Sequence, residues 1–101
     1  MQILSTGSIY LDINTKLNGS YESIHPEKEY RSERYELTLG GSAVIAPLTM
    51  AKLGLHPHFV GAVGKDDFGI LINDKLKKSG IQAHLEISDT SLTNVGINRT
   101  D

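Results

Sequence analysis

Apolar and polar positions fall into blocks with different periods. Ile9, Leu11 and Ile13 alternate with Tyr10, Asp12 and Asn14, the two-residue repeat of a strand with one wet face, so Asp12 is expected on the polar side. Before it, Gln2–Ser8 reads as a short first strand ending at Gly7, and Ile9–Leu17 as a second extended piece. Arg34–Leu39 resumes an extended pattern and can pair with Leu11–Leu17 as a small antiparallel flap. Between them, Asn18-Gly19-Ser20 signals a turn, and the polar stretch Tyr21–Glu33, with Pro26 inside it, reads as a loop.

The period then changes. Ser42–Leu53 carries apolar residues all round, as expected of a helix buried on most sides, with Ser42 as N-cap and Gly54 just past the end. Pro47 conflicts with that helix, because it removes a bond to the carbonyl of Ala43; the helix starts late or is kinked there. His58–Val63 is a compact apolar strand, consistent with burial on both faces of a parallel sheet. Asp66 or Asp67 then caps a helix with Phe68, Leu71, Ile72 and Leu76 at helical spacing, lysines 77 and 78 in its last turn, and a Schellman-type stop at Gly80-Ile81. Gln82–Ile87 and Thr93–Asn98 alternate again, separated by the turn-rich Ser88–Ser91.

A chain of 101 residues is one domain's worth, smaller than most complete α/β enzymes. Its net charge of −2 gives no electrostatic case for nucleic acid or an anionic membrane as partner. The absence of cysteine excludes disulfides and thiolate chemistry. No apolar stretch reaches spanning length and Met1–Leu4 does not resemble a secretion signal, so the expected compartment is the cytoplasm.

Two phosphate motifs fail. Gly61, Gly64 and Gly69 do not make G-x-G-x-x-G, and around Gly64-Lys65 a P-loop would need glycine at Phe59 and Ser or Thr at Asp66. His56-Pro57-His58 has no nearby cysteine or acidic partner and reads as surface and strand start rather than metal ligation. Asp66-Asp67 reads as a helix cap rather than an acid pair. What remains is Asp12 with the bend Gly40-Gly41. A carboxylate accepts from two vicinal hydroxyls, and backbone without Cβ atoms can lie against a polyol.

Gly7-Ser8-Ile9-Tyr10-Leu11-Asp12, then Gly40-Gly41 with Gly54 closing the next helix, then Val60 through Gly69 (VGAVGKDDFG) and Gly80-Ile81, resemble in order and spacing the amino-terminal third of the ribokinase-like (PfkB) carbohydrate kinases. The resemblance implies an α/β fold: a partial Rossmann-type parallel sheet with helices, plus a small β flap acting as a lid. It divides the single segment 1–101 into core (1–8 and 39–81) and lid-like strands (9–38 and 82–101). It implies that Asp12, Gly40 and Gly41 bind hydroxyls of a sugar or nucleoside, and that the complete enzyme moves the γ-phosphate of ATP, with Mg2+, to a hydroxymethyl group. The catalytic base and nucleotide pocket belong to the later two-thirds of such enzymes, so neither ATP nor Mg2+ is expected to bind this segment tightly. The lid strands are often a dimer surface, so a homodimer is a further expectation. Three positions depart from the pattern: Ile45 stands where the family has a sugar-contacting asparagine, Pro47 where it has a small helix former, and Tyr10 where ribokinases often have a polar residue. Ile45 and Pro47 favour the alternative, a truncated or degenerate module that binds or dimerises without catalysis.

Overall fold

The computed structural model describes residues 2–17 and 32–100. In chain order the elements are β1 (Leu4–Thr6), β2 (Tyr10–Leu17), β3 (Ser32–Gly40), α1 (Ser42–Lys52), β4 (His58–Gly64), α2 (Asp67–Lys78), β5 (Gln82–Ser88) and β6 (Val95–Thr100). Residues 32 and 33, expected in a loop, belong to β3; the rest of the loop expected at 21–33 lies outside the described residues. No helix among the described residues is long and apolar enough to cross a membrane.

The strands form two three-stranded sheets. One is parallel, in the order β1-β4-β5, and is built by the crossovers through α1 and α2. The other has the order β3-β2-β6: β2 runs antiparallel to β3, with Leu11 opposite Leu39 and Lys16 opposite Arg34, and parallel to β6. This corrects the placement of residues 82–88 with the lid. They follow α2 after three residues and return beside β4, His58 opposite Gln82, so they belong to the core sheet; only β6 crosses to the lid. Two-residue alternation fixes which side chains share a face but not which sheet a strand joins.

Both helices cover the same face of the parallel sheet. The Ser5 hydroxyl donates to the Ala43 carbonyl of α1, and Phe59, opposite Ser5, lies in one buried cluster with Ile9, Leu11, Val44, Val63, Ile72, Leu76 and Ile81. The opposite face, with Leu4, Val60, Ala62, His84 and Glu86, is exposed; β4 is therefore buried on one side, not on two as its composition suggested.

The helix ends follow from local chemistry. Gly54 and Gly80 take φ of 85° and 84°. At the first, Leu55 N–H donates to Met50 and Gly54 N–H to Ala51; at the second, Ile81 donates to Leu76 and Gly80 to Lys77, the paired bonds of two Schellman motifs. α1 begins at Ser42 and runs through Pro47, which is buried, so the late start does not occur. The missing N–H of Pro47 would orphan the Ala43 carbonyl, and that carbonyl is the one Ser5 reaches at 2.6 Å. The cap is Gly41, not Ser42, and no side chain bonds the first-turn N–H groups. The helix is also less enclosed than its composition implied: only Val44 and Pro47 are buried, and Ile45 is 60% exposed.

Candidate functional site

Asp12 sits on β2, the middle strand of the lid sheet, opposite Thr38 on β3 and Gly96 on β6. Its carboxylate lies across the backbone between two bare glycines. A Cβ on Gly40 would overlap Asp12 Oδ2, and one on Gly96 would stand 2.6 Å from Asp12 Oδ1. The seat therefore exists only because neither position has a side chain. Among the described residues no donor is bonded to this carboxylate, and no buried polar side-chain atom lacks a partner, so its oxygens face solvent.

Gly41 completes the bend for a separate reason. Its φ is 107°, a conformation L side chains rarely adopt, and a Cβ there would come 2.5 Å from the Ser8 carbonyl oxygen and 3.3 Å from the Tyr10 ring. Tyr10 pairs with Gly40 and is partly exposed beside this bend. The structure thus brings together Asp12, Gly40 and Gly41, the three residues singled out from the sequence, at the junction of lid and core. It adds Gly96, which sequence reasoning passed over. The available signal was a glycine inside an alternating strand, Val95-Gly96-Ile97, which marks a close approach of another group.

A second node anchors the lid's last strand. Asp66 is the N-cap of α2: its Oδ1 accepts from Gly69 N–H at 2.8 Å and from the Thr93 hydroxyl at 2.6 Å, and its Oδ2 accepts from Thr93 N–H at 2.9 Å. Thr93, buried, accepts in turn from Gly64 N–H at 2.9 Å. One carboxylate thereby ties the start of α2, the end of β4 and the entry to β6. The Thr93 hydroxyl, then the Thr93 and Gly69 N–H groups, hold the Asp66 carboxyl below the ordinary aspartate value, with burial opposing. A folded-state value below the unfolded one means the latch stabilises fully above 3.8 and loses its contribution as pH falls below it. The difference in stability between the protein and Asp66→Asn is accordingly expected to be constant near neutrality and to shrink in acid, a trend that urea titrations followed by circular dichroism at stepped pH will show.

His58 pairs with His84 across the core sheet. Its Nδ1 faces His84 Nε2 at 3.0 Å, with ring planes 7° apart and centroids 5.3 Å apart, an edge-to-edge hydrogen bond across β4 and β5. Among the described residues no three His, Cys, Asp or Glu side chains gather to hold an ion.

The geometry joins a solvent-facing carboxylate, glycine backbone and the β3-β2-β6 sheet to an α/β core. The fold recurs in solved structures, each matched over nearly the whole of this chain. A carbohydrate kinase from Agrobacterium tumefaciens superposes with a TM-score of 0.77 at 16% identity, covering 97% of this chain and 31% of that one. The ribokinase of Thermotoga maritima gives 0.73 at 24% identity, 98% and 32%. The nucleoside kinase of Methanocaldococcus jannaschii gives 0.74 at 22%, 99% and 33%. These likenesses show the ribokinase-like fold. In sequence, the chain is 36% identical over 85 residues to the bifunctional protein HldE of Magnetococcus marinus, 81% of this chain but 17% of that protein. The chain thus spans about a third or less of the proteins it resembles. The profile of the family described as pfkB family carbohydrate kinase matches residues 2–101, and the chain belongs to that family.

Proposed function

We propose that this chain is the substrate-binding and lid portion of an ATP-dependent kinase acting on a hydroxymethyl group of a sugar or nucleoside. The observation that carries this reading is the Asp12 carboxylate, open to solvent and seated between Gly40 and Gly96, beside the bend at Gly41. An ionised carboxylate is an acceptor only, so it suits two vicinal hydroxyls as donors. Its part in the reaction is to hold and orient the acceptor while a base supplied elsewhere takes the hydroxyl proton. The sequence has neither the G-x-G-x-x-G nor the P-loop spacing, and ATP and Mg2+ are placed in this reading outside the segment, as the family resemblance implies. This chain by itself is therefore expected to bind sugars or nucleosides, seen as perturbed Gly40, Gly41 and Gly96 amide signals, without ATP-dependent phosphorylation of them. Measurable turnover by these 101 residues would refute the division of labour.

The second reading, a module that dimerises without catalysis, draws on the other face of the lid. Tyr35 and Ile97 are 72% and 75% exposed there, beside the partly buried Ile13 and Leu37. A contiguous apolar sheet face of this kind favours a partner surface, here a second copy. Sedimentation equilibrium is expected to show a dimer that Tyr35→Lys with Ile97→Lys converts to monomer. A monomer at all concentrations would remove this reading.

A further inference from the structure

Tyr10 lies two residues before Asp12 on β2 and, by strand parity, on the same face of the lid. Directly opposite it stands Gly40, whose missing Cβ leaves the place that Asp12 Oδ2 occupies. Opposed Cβ positions in an antiparallel pair are about 4.5–5.5 Å apart, so the carboxylate oxygen sits on that scale from the root of the Tyr10 side chain. Carboxylate and ring are neighbours in one recess.

The ring is not placed as an aromatic side chain that merely covers a glycine across the ladder. At the Cβ position of Gly40 the nearest atoms all belong to the Asp12 carboxylate, and the Tyr10 ring leans instead along Gly41, its Cδ2 3.3 Å from the corresponding position there. It leaves the carboxylate uncovered. Tyr10 keeps 39% of its surface exposed although its backbone is paired within the sheet, and among the described residues no ring stacks on it and no group bonds its hydroxyl. A flat π face without a protein partner thus stands beside the hydroxyl site.

We infer that Tyr10 is the specificity-determining residue of this site, a stacking platform for a nucleobase, so that the substrate class is ribonucleosides rather than free sugars. The inference rests on the Asp12 reading above and extends it. A ribonucleoside carries its vicinal hydroxyls and its hydroxymethyl group on one ribose ring, and its base on the carbon adjoining the diol. With the diol on Asp12, the base falls on the scale of the separation between carboxylate and Tyr10, while the hydroxymethyl group, across the ring oxygen from the base, stays free as phosphoryl acceptor. A free sugar meets the same carboxylate but brings no π face to the ring. Stacking tolerates any base, so purine and pyrimidine nucleosides are both expected to bind.

The test is a titration of the 15N-labelled chain with adenosine, uridine, D-ribose and D-fructose, following the backbone amides of Gly40, Gly41 and Gly96 and the ring protons of Tyr10. All four are expected to move the glycine signals, but only the nucleosides to shift the Tyr10 ring protons upfield, binding about 5- to 150-fold more tightly than ribose, the usual worth of stacking one base on an aromatic side chain. Tyr10→Phe is expected to keep that ratio and Tyr10→Leu to bring it close to one; thermal melts verify the fold, and Tyr10→Met serves if the leucine variant does not fold. Equal affinity for nucleosides and ribose, a preference that survives in Tyr10→Leu, or fructose matching the nucleosides overturns the inference and, with the glycine signals still moving, leaves the Asp12 site standing. Absence of any ligand-dependent shift at the glycines overturns both.

Discussion

Asp12→Asn is expected to weaken sugar or nucleoside binding by roughly 10- to 150-fold while leaving the melting temperature nearly unchanged, because hydrogen bonds to a charged acceptor contribute about 1.5–3 kcal/mol. The substitution keeps the shape that fits between Gly40 and Gly96 but replaces one acceptor oxygen with a donor, so only one of two vicinal hydroxyls can still be met. Stability should hold because no donor among the described residues is bonded to this carboxylate, and the asparagine leaves no protein partner behind. Calorimetric or NMR titration beside a thermal melt separates the alternatives. Unchanged affinity would mean that the hydroxyls are gripped elsewhere, whereas a joint fall in affinity and melting temperature would make Asp12 a structural residue.

What the sequence disclosed about this site, and what it concealed, divides along a physical line. The face of Asp12 was legible, since alternation is local, and so was the bend at Gly40-Gly41, where a strand must turn into a helix. Gly96 was not, because its need for a bare backbone arises from a carboxylate 84 residues away in the chain, brought beside it only when β6 pairs with β2. The assignment of residues 82–88 to the lid failed for the same reason: periodicity reports a face, and sheet membership is decided by the crossover through α2. Pro47 shows a local rule overridden. Taken alone it predicts a helix that starts late or kinks; α1 starts on time at Ser42, and the Ser5 hydroxyl, from a strand folded against α1, bonds the carbonyl left without its partner.

The Asp66 node links these two levels. A cap residue is readable from sequence, and Asp66 caps α2 as such a residue should. Its second task is invisible there, since Thr93 lies 27 positions on, yet it is this contact that fixes where the chain leaves the core for β6 and so where Gly96 and Asn98 meet β2. The candidate site is thus held by three core-to-lid passages: Ser8–Ile9 entering β2, Gly40-Gly41 leaving β3, and Thr93 entering β6.

All three passages depend on the packing beneath them, and Phe59→Ala is expected to cost about 3–5 kcal/mol, the usual loss for a fully enclosed phenylalanine. Phe59 is wholly buried on β4, the middle strand of the parallel sheet, within the cluster that joins both helices to Leu11 at the base of the lid. The ring lies over Gly61, two residues on along the same face, where a Cβ would stand 2.6 Å from Phe59 Cε2; the small-residue gap in this strand is the space the ring fills. Alanine would leave that space lined by glycine on one side. Total stabilities of about 5–15 kcal/mol are usual for a domain of this size, so the substitution removes a large fraction of the margin. Urea titration is expected to give a midpoint far below that of the parent protein, or no cooperative transition, with Phe59→Leu intermediate. A loss under about 1 kcal/mol would mean that the cluster around Phe59 is not what holds lid and core together.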